Sequence, residues 1–386
     1  GAAYKVGELY SSTGLPSPVY HANTLYAKNL YQYISDNAFD AVVCTHLFPM
    51  EAVTYIKRKY ELKAKCYAVL TDYTCVPFFN ETALDAYCLP HQALVAECVK
   101  YGMDKSKLYV TGLPVLKRFH ERMSKEEARN YLVIPSDKRL YLIMTGGIGC
   151  GNVLDLCSEI LKDKGDDTAI YVLAGRNSDL LDRIRKRYGE DERVHAVAFT
   201  RKVNVYMSAA DVLLSKPGGI SSTEAAVMNI PLVHTMAIPG CESKNAEFFS
   251  SMGMSYYAEN AEDAAKYADI LISDIAVSKR MVGKQPQTPP LFSAVKIKGQ
   301  RAYDLARAGK DFVLEPKMIE VYEACLLEST ARSAKVRFAV SSGTYIRSLA
   351  HDLGRKMGVG AYLKNLRRIT IGDYQVADAK KVEDFE

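Results

Sequence analysis

Apolar residues in the first half of the chain follow two alternating patterns. FDAVVCTHLF (39–48), KCYAVLTDY (65–73), DAYCLP (85–90) and KLYVTGLPV (107–115) are short apolar runs that end on polar residues, the form of buried parallel strands. Between them, NTLYAKNLYQYISDN (23–37) and MEAVTYIKRKYEL (50–62) carry apolar residues at helical spacing. SKEEARNYLVI opens a further helix with Ser124 as its N-cap. A second series begins at RLYLIMTGGIG (139–149) and continues through AIYVLAG, VHAVAFT, DVLLSKPGG and IPLVHTM. Its helices are expected to start near Asn152, Ser178, Asn204 and Ser221. Two successive series predict two doubly wound α/β domains facing a cleft, connected by VTGLPVLKRFH.

After one more helix, ENAEDAAKYADILISDIAVSKRM (259–281), the pattern changes. KMIEVYEACLLEST and SAKVRFAVSS read as a β-hairpin and TYIRSLAHDLGRKM as a helix, an α+β style. The segment RMVGKQPQTPPLFSAVKIKGQRAYDLARAG (280–309) joins the two.

Composition adds limits. With 48% hydrophobic and 25% charged residues the chain has the balance of a soluble globular protein, and 386 residues allow two or three domains. No apolar run reaches 18 residues, so no membrane span is expected. The start, GAAYKVGELY, has neither an initiator Met nor a secretory pattern, and a beginning inside a longer protein is expected. The nine cysteines include no C-x-x-C and sit in apolar stretches, which suits buried thiols in a reducing cytoplasm rather than disulfides or zinc. The net charge of +5 lies entirely in residues 287–386, with 17 Lys and Arg against 12 Asp and Glu. A polyanionic partner is therefore a candidate for that part alone.

Three strand-to-helix corners carry candidate chemistry. MTGGIGCGN (144–152) offers glycines whose backbone N–H groups can approach a diphosphate at a helix N-terminus; a plain tight turn is the alternative. SKPGGISSTEA (215–225) repeats the arrangement with Gly218, Gly219 and Ser222. Glu224 follows, either accepting bonds from two ribose hydroxyls or stabilising its helix as a first-turn acid. In IPGCESKNAEF (238–248), Glu242 and Asn245 are three apart and suit sugar hydroxyls, with ordinary capping as the alternative. Three such corners at one carboxyl edge make a nucleotide-sugar site.

At these residues the chain resembles the GT-B glycosyltransferases of the monogalactosyldiacylglycerol synthase and MurG type, over about residues 1–284. KPGGISSTEA carries the resemblance, supported by THLFP, VLTDYTCVPFF, DAYCLP and VTGLPV. It implies an acceptor-side Rossmann-like domain over 1–120, lacking its first βα units, and a donor-binding one over 121–284. It implies inverting transfer of a hexose from a UDP-sugar to a diacylglycerol-type lipid, by a cytoplasmic enzyme peripheral on the inner face of the plasma membrane. No metal or cofactor is implied, because backbone amides hold the departing diphosphate. By resemblance Gly146, Gly147 and Gly149 lie near the diphosphate. Phe199 and Thr200 flank the uracil, Glu224 holds the ribose, and Glu242 and Asn245 hold the hexose. Relatives often carry Gln where Cys241 stands, which leaves the hexose open. The family's early glycine-rich acceptor loop is absent from the sequence, so the candidate general bases are Asp72 and His46, each with a structural alternative.

The tail SSGTYIRSLAHDLGRKMGVGAYLKNLRRITIGDY (341–374), with QTPPLFSAVKIKGQRAYDLARAG (287–309), resembles tRNA pseudouridine synthases of the TruB type. The resemblance implies a partial α+β catalytic domain over 285–386. Tyr345 would stack on a flipped uridine, Arg347 would pair with the catalytic aspartate and Leu366 would line the pocket. Lys364, Arg367 and Arg368 would meet tRNA phosphates. No L-D-P stretch occurs to supply that aspartate. Both resemblances break off in mid-domain near residue 285, so the join reads as a seam of natural or artefactual origin. Three readings follow: a glycolipid-forming transferase, a tRNA uridine isomerase, or a fusion that turns over neither substrate and binds UDP or RNA.

Overall fold

The computed structural model describes residues 16–146, 152–279, 281–290, 293, 295–297, 299–310, 312–329, 333–356, 360–372, 374–376 and 379. The chain divides into two compact units, Gly1–Ile272 and Ser273–Glu386.

The first unit opens with α1 (Pro18–Thr24) and α2 (Ala27–Asp36). One helix was expected over 23–37; the structure breaks it at Leu25 and Tyr26. Ser17 caps α1 and Pro18 occupies its first turn. At its end Thr24 Oγ1 donates to the His21 carbonyl and the Leu25 N–H turns to the Ala22 carbonyl, so the last-turn acceptors are taken locally and the helix stops. Then come β1 (Ala41–Cys44), α3 (Leu47–Lys59), β2 (Lys65–Val69), β3 (Ala86–Leu89), α4 (Leu94–Lys100) and β4 (Leu108–Val110). The strands form a parallel sheet in the order β1-β2-β3-β4. Its core gathers Met50, Val53, Ala68, Leu70, Leu84, Leu89 and Leu94. Among the described residues β1 is an edge, and Val43 on it is 61% exposed.

The chain passes through α5 (Lys117–His120) and α6 (Lys125–Leu132), where Ser124 and Glu127 close a reciprocal capping box. A second parallel sheet follows: β5 (Arg139–Met144), α7 (Val153–Leu161), β6 (Thr168–Gly175), α8 (Ser178–Tyr188), β7 (Val194–Ala198), α9 (Val203–Ala209), β8 (Val212–Ser215), α10 (Gly219–Val227), β9 (Leu232–Thr235), α11 (Cys241–Ser251) and β10 (Tyr256–Ala258). Its order, β10-β9-β8-β5-β6-β7, runs outward in both directions from β5 and β8. This is the doubly wound arrangement, and its reversal point lies between those two strands. Helices cover both faces. Tyr141, Ile143, Val172 and Val212 pack on one, and Leu140, Leu142, Leu213 and Ala225 on the other. These strands are buried on both sides, which is why they read as continuous apolar runs.

The division between units falls within α12 (Ala261–Lys279), ahead of the boundary expected near residue 284. The second unit has β11 (Gly283–Gln287), β12 (Lys296–Ile297), β13 (Gln300–Arg301), α13 (Ala302–Arg307), β14 (Lys317–Ser329), β15 (Ala334–Val340), α14 (Ile346–Lys356), β16 (Thr370–Ile371) and β17 (Tyr374–Gln375). The expected hairpin is β14–β15, and β11 adds antiparallel to β14. Met281, Ile319, Val321 and Leu349 form its small core.

Candidate functional site

The carboxyl ends of β5 and β8 lie side by side, with Met144 paired to Ser215. Ligands of doubly wound sheets bind outside such a reversal point. Gly146 leaves β5 with φ +73°, a backbone conformation that favours glycine, and a Cβ there would meet nothing within 4 Å. Gly147 and Gly149 lie outside the described residues. From β8 the chain runs through Lys216 and Pro217 to Gly218, the N-cap of α10. Gly218 is equally open, whereas a Cβ on Gly219 would stand 1.8 Å from the Thr71 carbonyl oxygen. Gly219 therefore serves close packing of the 71–73 loop on α10.

The side chains expected at this edge divide by what they touch. Glu224 is half-buried, and its carboxylate has no hydrogen-bond partner among the described residues. Burial pushes its pKa up to about 7, against a smaller lowering by Arg118. Ser222 differs from expectation: it is buried, its Oγ lies 2.8 Å from His234 Nε2, and Ser255 Oγ sits 3.0 Å from the other ring nitrogen. Burial holds His234 down at about 3, so the ring is neutral in this chain of polar contacts. Glu242 Oε1 pairs with Lys216 Nζ at 3.0 Å, and its Oε2 accepts from the Ile238 amide at 2.8 Å.

Asn245 faces elsewhere than Glu242. It is fully buried; its Oδ1 accepts from the Tyr73 amide at 2.7 Å, and its Nδ2 donates to Asp72 Oδ1 at 2.8 Å and to the Pro217 carbonyl at 3.0 Å. Asp72 is half-buried, and Oδ1 carries the one hydrogen bond its carboxylate makes among the described residues. Tyr73 Oη is 2.8 Å from Thr223 Oγ1, and its ring stacks on Phe248 at 4.6 Å. Burial, then Asp72, pushes the Cys241 thiol up to about 11. His46 is exposed and caps α3, accepting from the Phe48 amide through Nδ1. Phe199 is 55% exposed at the end of β7, with the Arg176 guanidinium 5.2 Å from its ring centroid. Thr200 Oγ1 accepts from the Lys202 amide.

In the second unit, Gln287 grips Tyr345 through its backbone: Oε1 accepts from the Tyr345 amide at 2.8 Å, and Nε2 donates to its carbonyl at 3.1 Å. This fixes the turn into α14. Arg347, Lys364, Leu366, Arg367 and Arg368 are exposed.

Sequence reasoning passed over Lys216, Arg118 and Tyr73. Lys216 stands inside the quoted SKPGG and Tyr73 inside TDY, so position at a strand end was their one signal; nothing local marks Arg118. Among the described residues no group of three or more His, Cys, Asp or Glu is placed to hold a metal ion, and no helix is long and apolar enough to cross a membrane. The eight described cysteines are free; Cys150 lies outside them.

Comparisons with known proteins divide along the chain. The family model for monogalactosyldiacylglycerol (MGDG) synthase matches residues 3–115. The TruB family pseudouridylate synthase N-terminal domain matches 258–346, and the tRNA pseudouridylate synthase B C-terminal domain matches 347–386. A processive diacylglycerol beta-glucosyltransferase of Bacillus licheniformis is 26% identical over 251 residues, 64% of each chain. A tRNA pseudouridine synthase B of Aquifex aeolicus is 50% identical over 105 residues, 27% of this chain and 37% of that protein. The chain thus spans under two thirds of the length of either relative. An S. aureus MnaA–UDP co-structure superposes with a TM-score of 0.53 at 14% identity, covering 67% of this chain and 74% of that one, a likeness of fold.

Proposed function

We propose that this chain, similar at its N-terminal region to monogalactosyldiacylglycerol synthases and diacylglycerol glucosyltransferases and at its C-terminal region to TruB pseudouridine synthases, is a glycolipid-forming hexosyltransferase that carries a pseudouridine synthase segment. The observation that carries the donor reading is Glu224: a half-buried carboxylate without a hydrogen-bond partner among the described residues, one turn into the helix that Gly218 opens. Such a group suits a pair of ribose hydroxyls. The open backbone at Gly146 and Gly218 then faces the diphosphate, with Lys216 as the nearby cation. Phe199 and Thr200 flank the uracil, and Glu242 meets the hexose on leaving Lys216.

In this reading Asp72 takes the proton of the acceptor hydroxyl. The hydroxyl oxygen bonds to the anomeric carbon from the face opposite UDP, the bond from that carbon to the diphosphate oxygen breaks, and the anomeric configuration inverts. The departing charge is held by amides and Lys216. His46 is the weaker base, since its Nδ1 already caps a helix. A diacylglycerol-type acceptor puts the reaction at a membrane surface. The exposed apolar side chains Leu25, Tyr33 and Phe48 suit such a surface.

Calorimetry tests the donor reading. UDP is expected to bind the chain, and Glu224→Gln to weaken it at least tenfold; absence of heat at millimolar UDP would overturn it. Radiolabelled UDP-hexose with diacylglycerol vesicles then tests transfer. A second reading rests on the Gln287–Tyr345 clamp, which holds the aromatic as a uridine-stacking residue would be held. Tritium release from uridine-labelled tRNA tests isomerase turnover, and filter binding tests retention of RNA by Arg347, Lys364, Arg367 and Arg368.

A further inference from the structure

The loop Thr71–Tyr73 leaves the four-stranded sheet and ends against two helices of the six-stranded one. Beside the stacking of Tyr73 on Phe248, four contacts hold it. The Tyr73 amide and the Asp72 carboxylate both bond the Asn245 side chain. Tyr73 Oη meets Thr223 on α10. The Thr71 carbonyl lies where a side chain on Gly219 would be. Asn245 also holds Pro217, in the turn between β8 and Gly218. Both of its N–H bonds are in use and its carbonyl is taken, in a site with no solvent exposure. No hydrogen-bonding group on it is left facing open space where a hexose could bind it.

We propose that Asn245 is a positioning residue: it ties the donor-side turn at Pro217 to the loop that carries Asp72 and fixes the direction of that carboxylate. This rests on the transferase reading for the role of Asp72, but the tie itself is a matter of the protein alone. A buried amide that donates to one carboxylate oxygen leaves the other oxygen aimed away, available to a substrate hydroxyl. The same amide bonds the carbonyl next to Gly218, so a shift of the diphosphate turn and a shift of Asp72 are mechanically linked. Asn245 thereby acts on the acceptor proton through Asp72 and leaves hexose contact to Glu242.

Two variants test this. Asn245→Leu removes every bond. Asn245→Asp keeps the acceptor for the Tyr73 amide and turns the donor that faces Asp72 into an oxygen. Hydrogen exchange at the Tyr73 amide is expected to quicken at least tenfold in N245L and to stay within threefold of the parent in N245D. The ratio of UDP-hexose to UDP affinity is expected to stay within twofold in both. In transfer assays kcat falls at least tenfold in both with KM for UDP-hexose within twofold. In N245D kcat recovers as pH is lowered and the introduced carboxyl, facing Asp72, takes up a proton and donates again. Unchanged Tyr73 exchange in N245L, or a loss of UDP-hexose binding while UDP binding persists, would overturn the proposal. Failure of the parent chain to bind UDP would overturn the donor reading instead and leave the exchange result to judge the tie.

Discussion

Glu51 lies fully buried on α3, with Asn23 Nδ2 2.5 Å from its Oε2 and no partner for Oε1 among the described residues. Burial pushes its carboxyl up to about 7; the Asn23 bond opposes this and nearby Glu81 adds to it. The folded chain therefore binds a proton that the unfolded chain releases above its ordinary value of 4.5. Stability is full below that value, falls as pH rises toward 7 and stays reduced above it. Glu51→Gln fixes the neutral form. In urea denaturation it is expected to match the parent near pH 4.5 and to exceed it by about 2–3 kcal/mol at pH 8. Glu224 has the same sign but is better solvated. Glu224→Gln is expected to add only about 1 kcal/mol at pH 8 while weakening UDP. A variant that loses stability at pH 8 would show that the residue is ionised and paired.

At the scale of elements, two adjacent glycines in one motif have opposite roles. Gly219→Ala drives a Cβ into the Thr71 carbonyl and is expected to cost about 2–3 kcal/mol, read by thermal denaturation. Gly218→Ala meets nothing within 4 Å at φ −73° and is expected to change stability by under about 0.5 kcal/mol. Its effect should appear in UDP affinity, where a methyl group stands over the helix N-terminus. Equal stability loss in both would contradict the contrast. The strand β11 teaches a related point. GKQPQ, with Pro286, has no strand pattern of its own, and its backbone becomes extended by pairing with β14 at an edge where the missing N–H is tolerated.

For the whole molecule, the division after Ile272 separates cores of unequal size. Differential scanning calorimetry is expected to give two transitions. UDP at one hundred times its Kd should stabilise the larger unit by about 2.7 kcal/mol and leave the smaller transition in place. A single transition that moves as one with UDP would show that the units unfold together. The excess positive charge lies in the last hundred residues, so tRNA retention, where present, should weaken with added salt while UDP binding changes little.

The sequence by itself determined the two parallel series and the hairpin, because strands buried on both faces and amphipathic helices are written in local apolar spacing. It also marked the corners at Gly146 and Gly218, since only strand-then-glycine-then-helix is needed to recognise them. Tertiary structure decided what the chain's own pattern could not encode. Residues 72 and 245 are far apart in sequence, and only the meeting of two sheets brings the Asn245 amide to the Asp72 carboxylate. Ser222 meets His234 within one unit, on the strand that follows its own helix. Asn23 found Glu51 across 28 positions, and β11 exists because β14 offered it an edge. Hydrogen bonds between distant segments select one partner among several that local chemistry allows, and that choice is made only when the chain is folded.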